Sequence, residues 1–442
     1  MSNADRPASP GLSIEPFRAT RYSGVDLASV TSPPYDVVEP DRTLRLEAAN
    51  PYNVVRLILP REIGDDDGTR NRYDEASNVW HRWFADKVLA TDDEPAVWVY
   101  EQVGPAGTLV GFVGTVPVNQ PSAVLPHEDV MPQPVADRAE LMNAVGANLE
   151  PILLVHDPGP RKSGNGSDES QTSTVIDTLR NSPPEIEMTS DDGARHRLWP
   201  ITDAATQASI NADISTRQAL IADGHHRFAA YQQISRSRQV AAGSAVPNSA
   251  QPAWDRGLAL VVDGRSHPLR LGAIHRGVHG LDWGTAMERL GAGTSREDFD
   301  CLESALLWLH DSEAIDGASD ELPSPRLVVT DGLRWAGLTV FDANTLVPRP
   351  DRSKQWRCLP TAILHEYLLP VRWQIPDHEI SYHHDIAGAL RAADDEGVAV
   401  LLPALTLRTV IERAAAGELL PRKSTSFGPK PRTGLLMRTF ES

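Results

Sequence analysis

Apolar positions along this chain follow two rhythms. In "NRYDEASNVWHRWFADKVL", Tyr73, Val79, Trp80, Trp83 and Phe84 fall on one face of a helical repeat, which predicts a helix with a buried aromatic stripe. The next stretch, "AVWVYEQVGPAGTLVGFVGTVPV", has strand-like runs on both sides of Gly104, Pro105 and Gly107, the pattern of a hairpin. Further on, Asp137 is expected to cap a helix whose apolar face carries Leu141, Met142, Val145 and Leu149, and the strand "PILLV" follows. "ALIADG" reads as a buried strand ending at Asp223, and "HHRFAAYQQIS" as the helix after it. In the later chain, "GLALVVDGRSHPLRLGAIHRGV" reads as two strands about a DG turn, and "LVVTDGLRWAGLTVF" as a hairpin turning at Asp331-Gly332. "CLPTAILHEYLLPVRW", "DIAGALRAADDEG" and "LTLRTVIERAAAGE" read as helices, with "VAVLLP" a buried strand between the last two. Residues 1–60 carry turn chemistry and short strands, and "NPYNVVRLIL" ends in a strand-like run. Strands and helices mix without a regular βαβ alternation, so the expected fold class is α+β.

The rhythm breaks in three places. "REIGDDDGTR" is an acidic turn, 158–174 is a Gly/Ser-rich stretch read as a disordered loop, and "AAGSAVPNSAQPA" is a second loop. A chain of 442 residues exceeds one ordinary compact domain, and the change of pattern near Gly280 suggests regions 11–280 and 281–442. With 40% hydrophobic and 23% charged residues the composition is that of a globular protein. Sixty acidic against 42 basic residues leave a net charge of −18, which argues against direct nucleic-acid or anionic membrane binding. No apolar run approaches the ~20 residues of a bilayer span. "MSNADRPASPG" lacks the layout of a signal peptide, so the expected location is cytoplasmic. Cys301 and Cys358 form no CxxC pair, which excludes a disulfide framework and a cysteine-rich zinc site.

Candidate chemistry concentrates in a few places. There is no GxxxxGK[ST] loop, no GxGxxG after a strand and no GxSxG elbow, and in "LHEYLL" Leu369 stands where HExxH needs its second histidine. In "IADGHHRFAAYQQ", Gly224 permits a tight turn that places His225, His226 and Arg227 on the first turn of a helix. Helix starts carry unpaired N–H groups and partial positive charge, so this end attracts phosphate, and Arg227 adds a bidentate donor. Asp223 would orient a histidine or hold Mg²⁺; the plainer alternative is a helix cap with a surface ion pair. "VLPHEDV" offers Glu128 as a base for an acceptor hydroxyl, with His127 and Asp129 as alternatives. Asp36 in "PPYDVV" and the pair His275-Arg276 are additional candidates. In "LPRKSTSFGPKPRTGLLMRTF" no acid stands between Pro421 and Phe440, and Lys423 with Ser424 and Thr425 would close over a phosphate. For "SYHHDIAG", a helix cap at Asp385 is preferred to a zinc site built from His378, His383 and His384.

"DGHHRFAAYQQ" closely resembles the phosphate-binding segment of the ParB/sulfiredoxin superfamily. Sulfiredoxins carry their reactive cysteine where this chain has His225, so the resemblance excludes sulfinic-acid repair by that route. Free serine kinases of the superfamily use a related segment on nucleotide phosphates, which implies phosphoryl transfer. "SPPYDVV", "NPYNVVRL", "VLPHEDVMPQPVADRAELMNAVGANLEPI", "IADGHHRFAAY", "SYHHDIAGAL" and "LPRKSTSFGPKPRTGLLMR" together resemble the domain of unknown function 1015 family, in order from Ser32 to Arg438. The resemblance implies a ParB/sulfiredoxin-like nucleotide-binding region over 11–280 and a C-terminal α+β region over 281–442. It further implies a nucleotide (ATP, ADP or CTP) with Mg²⁺ and a small hydroxyl metabolite as acceptor. Asp223 through Arg227 would grip phosphates, Lys423 would assist, and Glu128, His225 and Asp223 would carry the chemistry. The rival readings are a non-catalytic ParB-like nucleotide sensor or partitioning protein, and a nucleotide or phosphate hydrolase.

Overall fold

The computed structural model describes residues 11–62, 71–120, 123–156, 171–242, 252–311, 324–393 and 397–441. The acidic turn beyond Glu62, the loop over 158–170 and most of the loop over 241–253 lie outside the described residues. The chain forms two compact units: residues 1–126, 130–269 and 428–442 make the first, and residues 127–129 with 270–427 the second. Both mix helices with sheets, as α+β patterning predicts.

The first unit is built on an eight-stranded mixed sheet. Across it run Val124–Leu125, Ala219–Asp223, Ile152–His156, Arg256–Asp263, Gly107–Pro117, Val97–Gly104, Arg195–Ile201 and Ile186–Thr189. Pairing is antiparallel except where Ala219–Asp223 meets Val124–Leu125 and where Arg256–Asp263 meets Ile152–His156. The hairpin about Gly104 and Gly107 is present, with Trp98 facing Val113 across it. Side chains of the sheet pack with Phe228, Tyr231 and Ile234 of the helix His225–Ala242, whose inward positions recur every three or four residues. A second cluster gathers Tyr22, Val79, Trp80 and Trp83, so the aromatic stripe of the helix Arg72–Ala85 is core.

Three local expectations change. Asp137 lies inside the helix Pro132–Val145, whose N-cap is Met131; its carboxylate pairs with Arg138 and Arg72 rather than with helix N–H groups. The run after Asn53 forms the short helix Val55–Ile58, because Asn53 turns its side-chain oxygen onto the Val55 N–H and starts a turn. The strand Arg256–Asp263, the turn at Asp263-Gly264 and the later strand His275–His279 are present as read, and Arg256–Asp263 pairs with Gly107–Pro117 and Ile152–His156. The loop read over 158–174 ends earlier, since residues from Gln171 onward belong to the helix Gln171–Arg180.

The second unit carries a six-stranded antiparallel sheet in the order Thr294–Phe299, Trp335–Val340, Arg326–Thr330, Gly397–Leu401, His275–His279 and Ile380–His383. Helices Leu302–His310 and Ile386–Ala393 seal it through Ala305, Leu309, Ala389 and Ala393. The helix Pro360–Ile363 continues as a π-helix over Leu364–Trp373, with Pro370 inside it. No helix among the described residues is long and apolar enough to cross a membrane.

One packing contact seats the helix His225–Ala242 on its sheet. Tyr231 lies against Gly257, where an added Cβ would stand 2.2 Å from the Tyr231 ring. Gly257→Ala is therefore expected to destabilise the protein by about 1–3 kcal/mol, the usual cost of overpacking. A lower urea midpoint with an unchanged slope is the result to look for.

Candidate functional site

The strand Ala219–Asp223 is buried throughout and ends on a carboxylate because the chain must turn there. Gly224 makes the turn at φ +93°, in the left-handed region, and a Cβ on it would meet Ile152 Cγ2 at 2.9 Å and the Arg227 guanidinium at 3.1 Å. His225 then opens an 18-residue helix. His225 and His226 are half-buried on its first turn, whereas Arg227 is 3% exposed. His226 Nε2 accepts the Met131 N–H at 3.2 Å, which puts the proton of the neutral ring on Nδ1.

Beneath this turn lies a buried ionic chain. Asp223 Oδ2 accepts from Arg227 Nη2 at 2.5 Å, and its Oδ1 pairs with Lys430 Nζ at 2.6 Å. Lys430 also binds Asp36 Oδ2. Arg227 Nη1 donates to the Pro151 carbonyl at 2.7 Å, while its buried Nε has no hydrogen-bond partner among the described residues. Glu150 accepts the Tyr35 N–H and the Thr433 hydroxyl, each at 3.0 Å. The Tyr35 ring lies 4.5 Å from the Arg138 guanidinium and 5.8 Å from that of Arg227.

The electrostatics follow from these contacts. Burial alone would raise the Asp223 pKa, but Lys430 and Arg227 outweigh it and hold the carboxyl below its ordinary value. Burial also opposes the Arg227 charge, yet Glu150, Asp223 and Asp36 raise its pKa above normal. Lys430 is raised likewise, by Asp223 and Asp36 against burial. Burial pushes the Tyr35 phenol up to about 12, although Arg227 and Arg138 pull the other way.

The sequence candidates divide between the units. Asp36 and Asp223 through Arg227 come together in the first. His127, Glu128, His275, Arg276 and Lys423 through Thr425 belong to the second. There Glu128 Oε1 accepts the Lys423 N–H at 3.2 Å, and His127 Nε2 meets Thr425 Oγ1 at 2.8 Å. Ser424 is 3% exposed, and its hydroxyl donates to the Pro421 carbonyl at 2.5 Å. His275 Nδ1 accepts the Leu402 N–H at 3.2 Å, and burial holds its pKa down at about 4. Asp385 caps a helix by accepting the Gly388 N–H at 2.6 Å.

Sequence reasoning passes over Lys430, Glu150 and Tyr35. Lys430 counts there only as one charge of a basic run, and nothing in "NLEPI" or "PPYDVV" marks Glu150 or Tyr35 as neighbours of Arg227. Asp223 does not fit a metal-ligand role: both of its oxygens already bear a cation. Among the described residues no group of three or more His, Cys, Asp and Glu side chains is arranged to hold a metal.

The family model described as "Protein of unknown function (DUF1015)" matches residues 14–356. The chain belongs to the DUF1015 family. The match takes in the turn at Gly224 and ends before "SYHHDIAGAL" and the basic run. No curated protein matches this DUF1015 chain. Among solved structures it is similar to a mutant free serine kinase in complex with ADP, at 14% identity and TM-score 0.35, covering 72% of this chain and 87% of that one. A conserved hypothetical protein from Pyrococcus furiosus shows 15% identity and TM-score 0.36, covering 74% and 96%. C-terminally truncated SbnI from Staphylococcus aureus shows 11% identity and TM-score 0.36, covering 74% and 87%.

Because the folded-state pKa of Asp223 is depressed, its contribution to stability is present above its ordinary value of 3.8 and is lost as pH falls below that value. Asp223→Asn leaves Arg227 and Lys430 buried without this partner. It is expected to cost about 3–5 kcal/mol at pH 7 and to flatten the acid limb of the stability curve. Urea unfolding of both proteins from pH 7 to pH 3 measures the difference. Equal slopes against pH would remove Asp223 from the acid response.

Proposed function

We propose that this protein binds the phosphate groups of a nucleotide at the turn joining Ala219–Asp223 to His225–Ala242, and transfers a phosphoryl group to a small hydroxyl metabolite. One observation carries the reading. A buried strand passes through a left-handed glycine straight into a long helix, with two half-buried histidines on its first turn and a lysine ion-paired to the Asp223 carboxylate just before it. The first-turn N–H groups of a helix have no intrahelical acceptor and suit a phosphate oxygen. The likeness of "DGHHRFAAY" to phosphate-binding segments supports the same ligand class.

Roles follow from exposure. Arg227 is committed to Asp223 and Pro151, so it holds the turn in shape and its charge acts through the field. His226, His225 and the turn's N–H groups make direct contact with phosphate. The Asp36 side chain is 34% exposed while bound to Lys430, so among the unit's acidic candidates it is the one a hydroxyl acceptor reaches. Asp36 is the general base in this reading, and Lys430 steadies its charge. The occupation of both Asp223 oxygens favours a second reading, a nucleotide sensor that binds without transfer.

Phosphorus NMR of the full-length protein with ATP, ADP or CTP, Mg²⁺ and a panel of amino acids and sugars tests both readings. His226→Ala is expected to weaken nucleotide binding by about tenfold or more, the loss of one charge-assisted hydrogen bond. Asp36→Asn is expected to lower turnover while leaving binding near wild type. Binding without turnover would select the sensor. If the wild-type protein binds no nucleotide, or His226→Ala binds as well as wild type, the site is misplaced.

A further inference from the structure

The second unit holds a buried arginine with an unusual set of partners. Arg276 is fully buried and stands directly across the strand pair from Tyr382, with its guanidinium 4.6 Å from that ring. All its hydrogen bonds go to neutral acceptors: Nε to His365 Nε2 at 2.9 Å, Nη1 to the Ile274 carbonyl at 2.5 Å, and Nη2 to the carbonyls of Arg422 at 3.3 Å and Lys423 at 2.9 Å. No carboxylate among the described residues lies within ion-pair distance of it. His365 is presented by the π-helix Leu364–Trp373 and stays neutral, since burial and Arg276 drive its pKa down to about 3. π-helical segments often mark functional sites.

These contacts shape one short turn. Lys423 sits at φ +57°, a left-handed conformation that a lysine rarely adopts. Its carbonyl is held by Arg276 and its N–H by Glu128. Ser424, Thr425 and Ser426 point their hydroxyls at Pro421, His127 and His384. The hydroxyls are thus bound within the unit. Arg422 and Lys423 remain exposed, and neither has an ion-pair partner among the described residues, in a chain of net charge −18. Tyr382 is 39% exposed beside them, near enough for the Arg422 charge to act on its phenol.

We propose that the Arg422–Lys423 turn of the second unit is an oxyanion site for a phosphate monoester whose ring or apolar part lies against Tyr382. Arg276 is its positioning residue: it fixes both carbonyls of the turn from below, so the two cations are held out in a conformation the turn would not keep alone. Its buried charge has no carboxylate within ion-pair distance and adds positive potential under the ligand, offset in part by Glu128, whose carboxylate holds the Lys423 N–H and favours the Arg276 charge. Tyr382 is 39% exposed with Arg276 and the stacked His365 against its ring, and it offers the rest of the ring surface to the ligand's planar part. Lys423 takes part as the sequence suggests, whereas Ser424 and Thr425 support the turn and do not meet the ligand. The site stands apart from the nucleotide reading above and does not require it.

Calorimetric titration of the full-length protein with phenyl phosphate and with inorganic phosphate tests this, in a His226→Ala background that silences the turn at Gly224. The double variant Arg422→Ser with Lys423→Asn, chosen because asparagine tolerates positive φ, is expected to lose about tenfold or more in affinity for both probes. Tyr382→Leu is expected to lose affinity for phenyl phosphate and keep it for inorganic phosphate. Arg276→Gln, with folding checked by circular dichroism, is expected to weaken both, and Arg276→Lys to recover part of the loss. Undiminished binding in the double variant, or no binding of either probe before it is made, overturns the proposal. If His226→Ala changes nucleotide binding not at all while the double variant abolishes phenyl phosphate binding, the first site fails and this one stands.

Discussion

The first unit depends on a charge pair that has been taken out of water. Asp223 and Arg227 are one helical turn apart and both nearly inaccessible, so neither is hydrated well enough to stand alone. Desolvation costs several kcal/mol per ion, and the 2.5 Å contact offsets this only because further partners finish the job. Lys430 takes the second Asp223 oxygen, Pro151 takes the second guanidinium nitrogen, and Asp36 takes Lys430. Removing Asp223, Arg227 or Lys430 leaves a buried partner under-paired. These contacts hold the segment around Gly224 in place, as the proposed phosphate contacts of its N–H groups require.

This network explains which parts of the fold can be read from the chain and which cannot. The helix Arg72–Ala85, the hairpin through Gly104 and Gly107 and the passage from Ala219–Asp223 into His225–Ala242 are set by local periodicity and turn residues, so the sequence shows them. Asp137 shows where local reasoning fails. It has the chemistry of a cap, yet Arg138 beside it and Arg72 from another helix claim its carboxylate, and the helix begins at Pro132 instead. Pairing across long separations leaves still less trace. Lys430 meets Asp36 over 394 positions, and Thr433 meets Glu150 over 283, with no spacing rule to join them. Residues 428–442 rejoin the first unit after the whole of the second, which reading in chain order does not reveal.

The same limit governs the candidate chemistry. The Gly224 turn is legible because glycine, histidine pair and arginine are contiguous. Its charge state is not, because it is decided by Lys430 and Asp36. An aspartate at a strand end with a nearby arginine suggests a metal ligand or a cap. Once a lysine occupies its other oxygen, the carboxylate is a counter-ion. Asp36, His225 and His226 are less buried than this pair, and the proposed function places the ligand contacts on them.

Two buried arginines, one in each unit, show how much partner type matters. Arg227 faces a carboxylate and is stabilised as an ion, with its pKa above normal. Arg276 faces carbonyls, an imidazole and an aromatic ring; burial brings its pKa down to about 10 while Tyr382 and Glu128 resist. Neutral acceptors satisfy the guanidinium's donors but do not cancel its charge, so the field that Arg227 spends on Asp223 is, around Arg276, left to act on whatever lies nearby. Each arginine holds a turn, Arg227 through the Asp223 carboxylate and Arg276 through the carbonyls of Arg422 and Lys423. Only the second does so while its charge lacks an ionic partner, and that charge lies beneath the Arg422–Lys423 turn, where two further cations are already exposed. A turn so charged in an acidic protein raises its own electrostatic energy, and an oxyanion binding there lowers it.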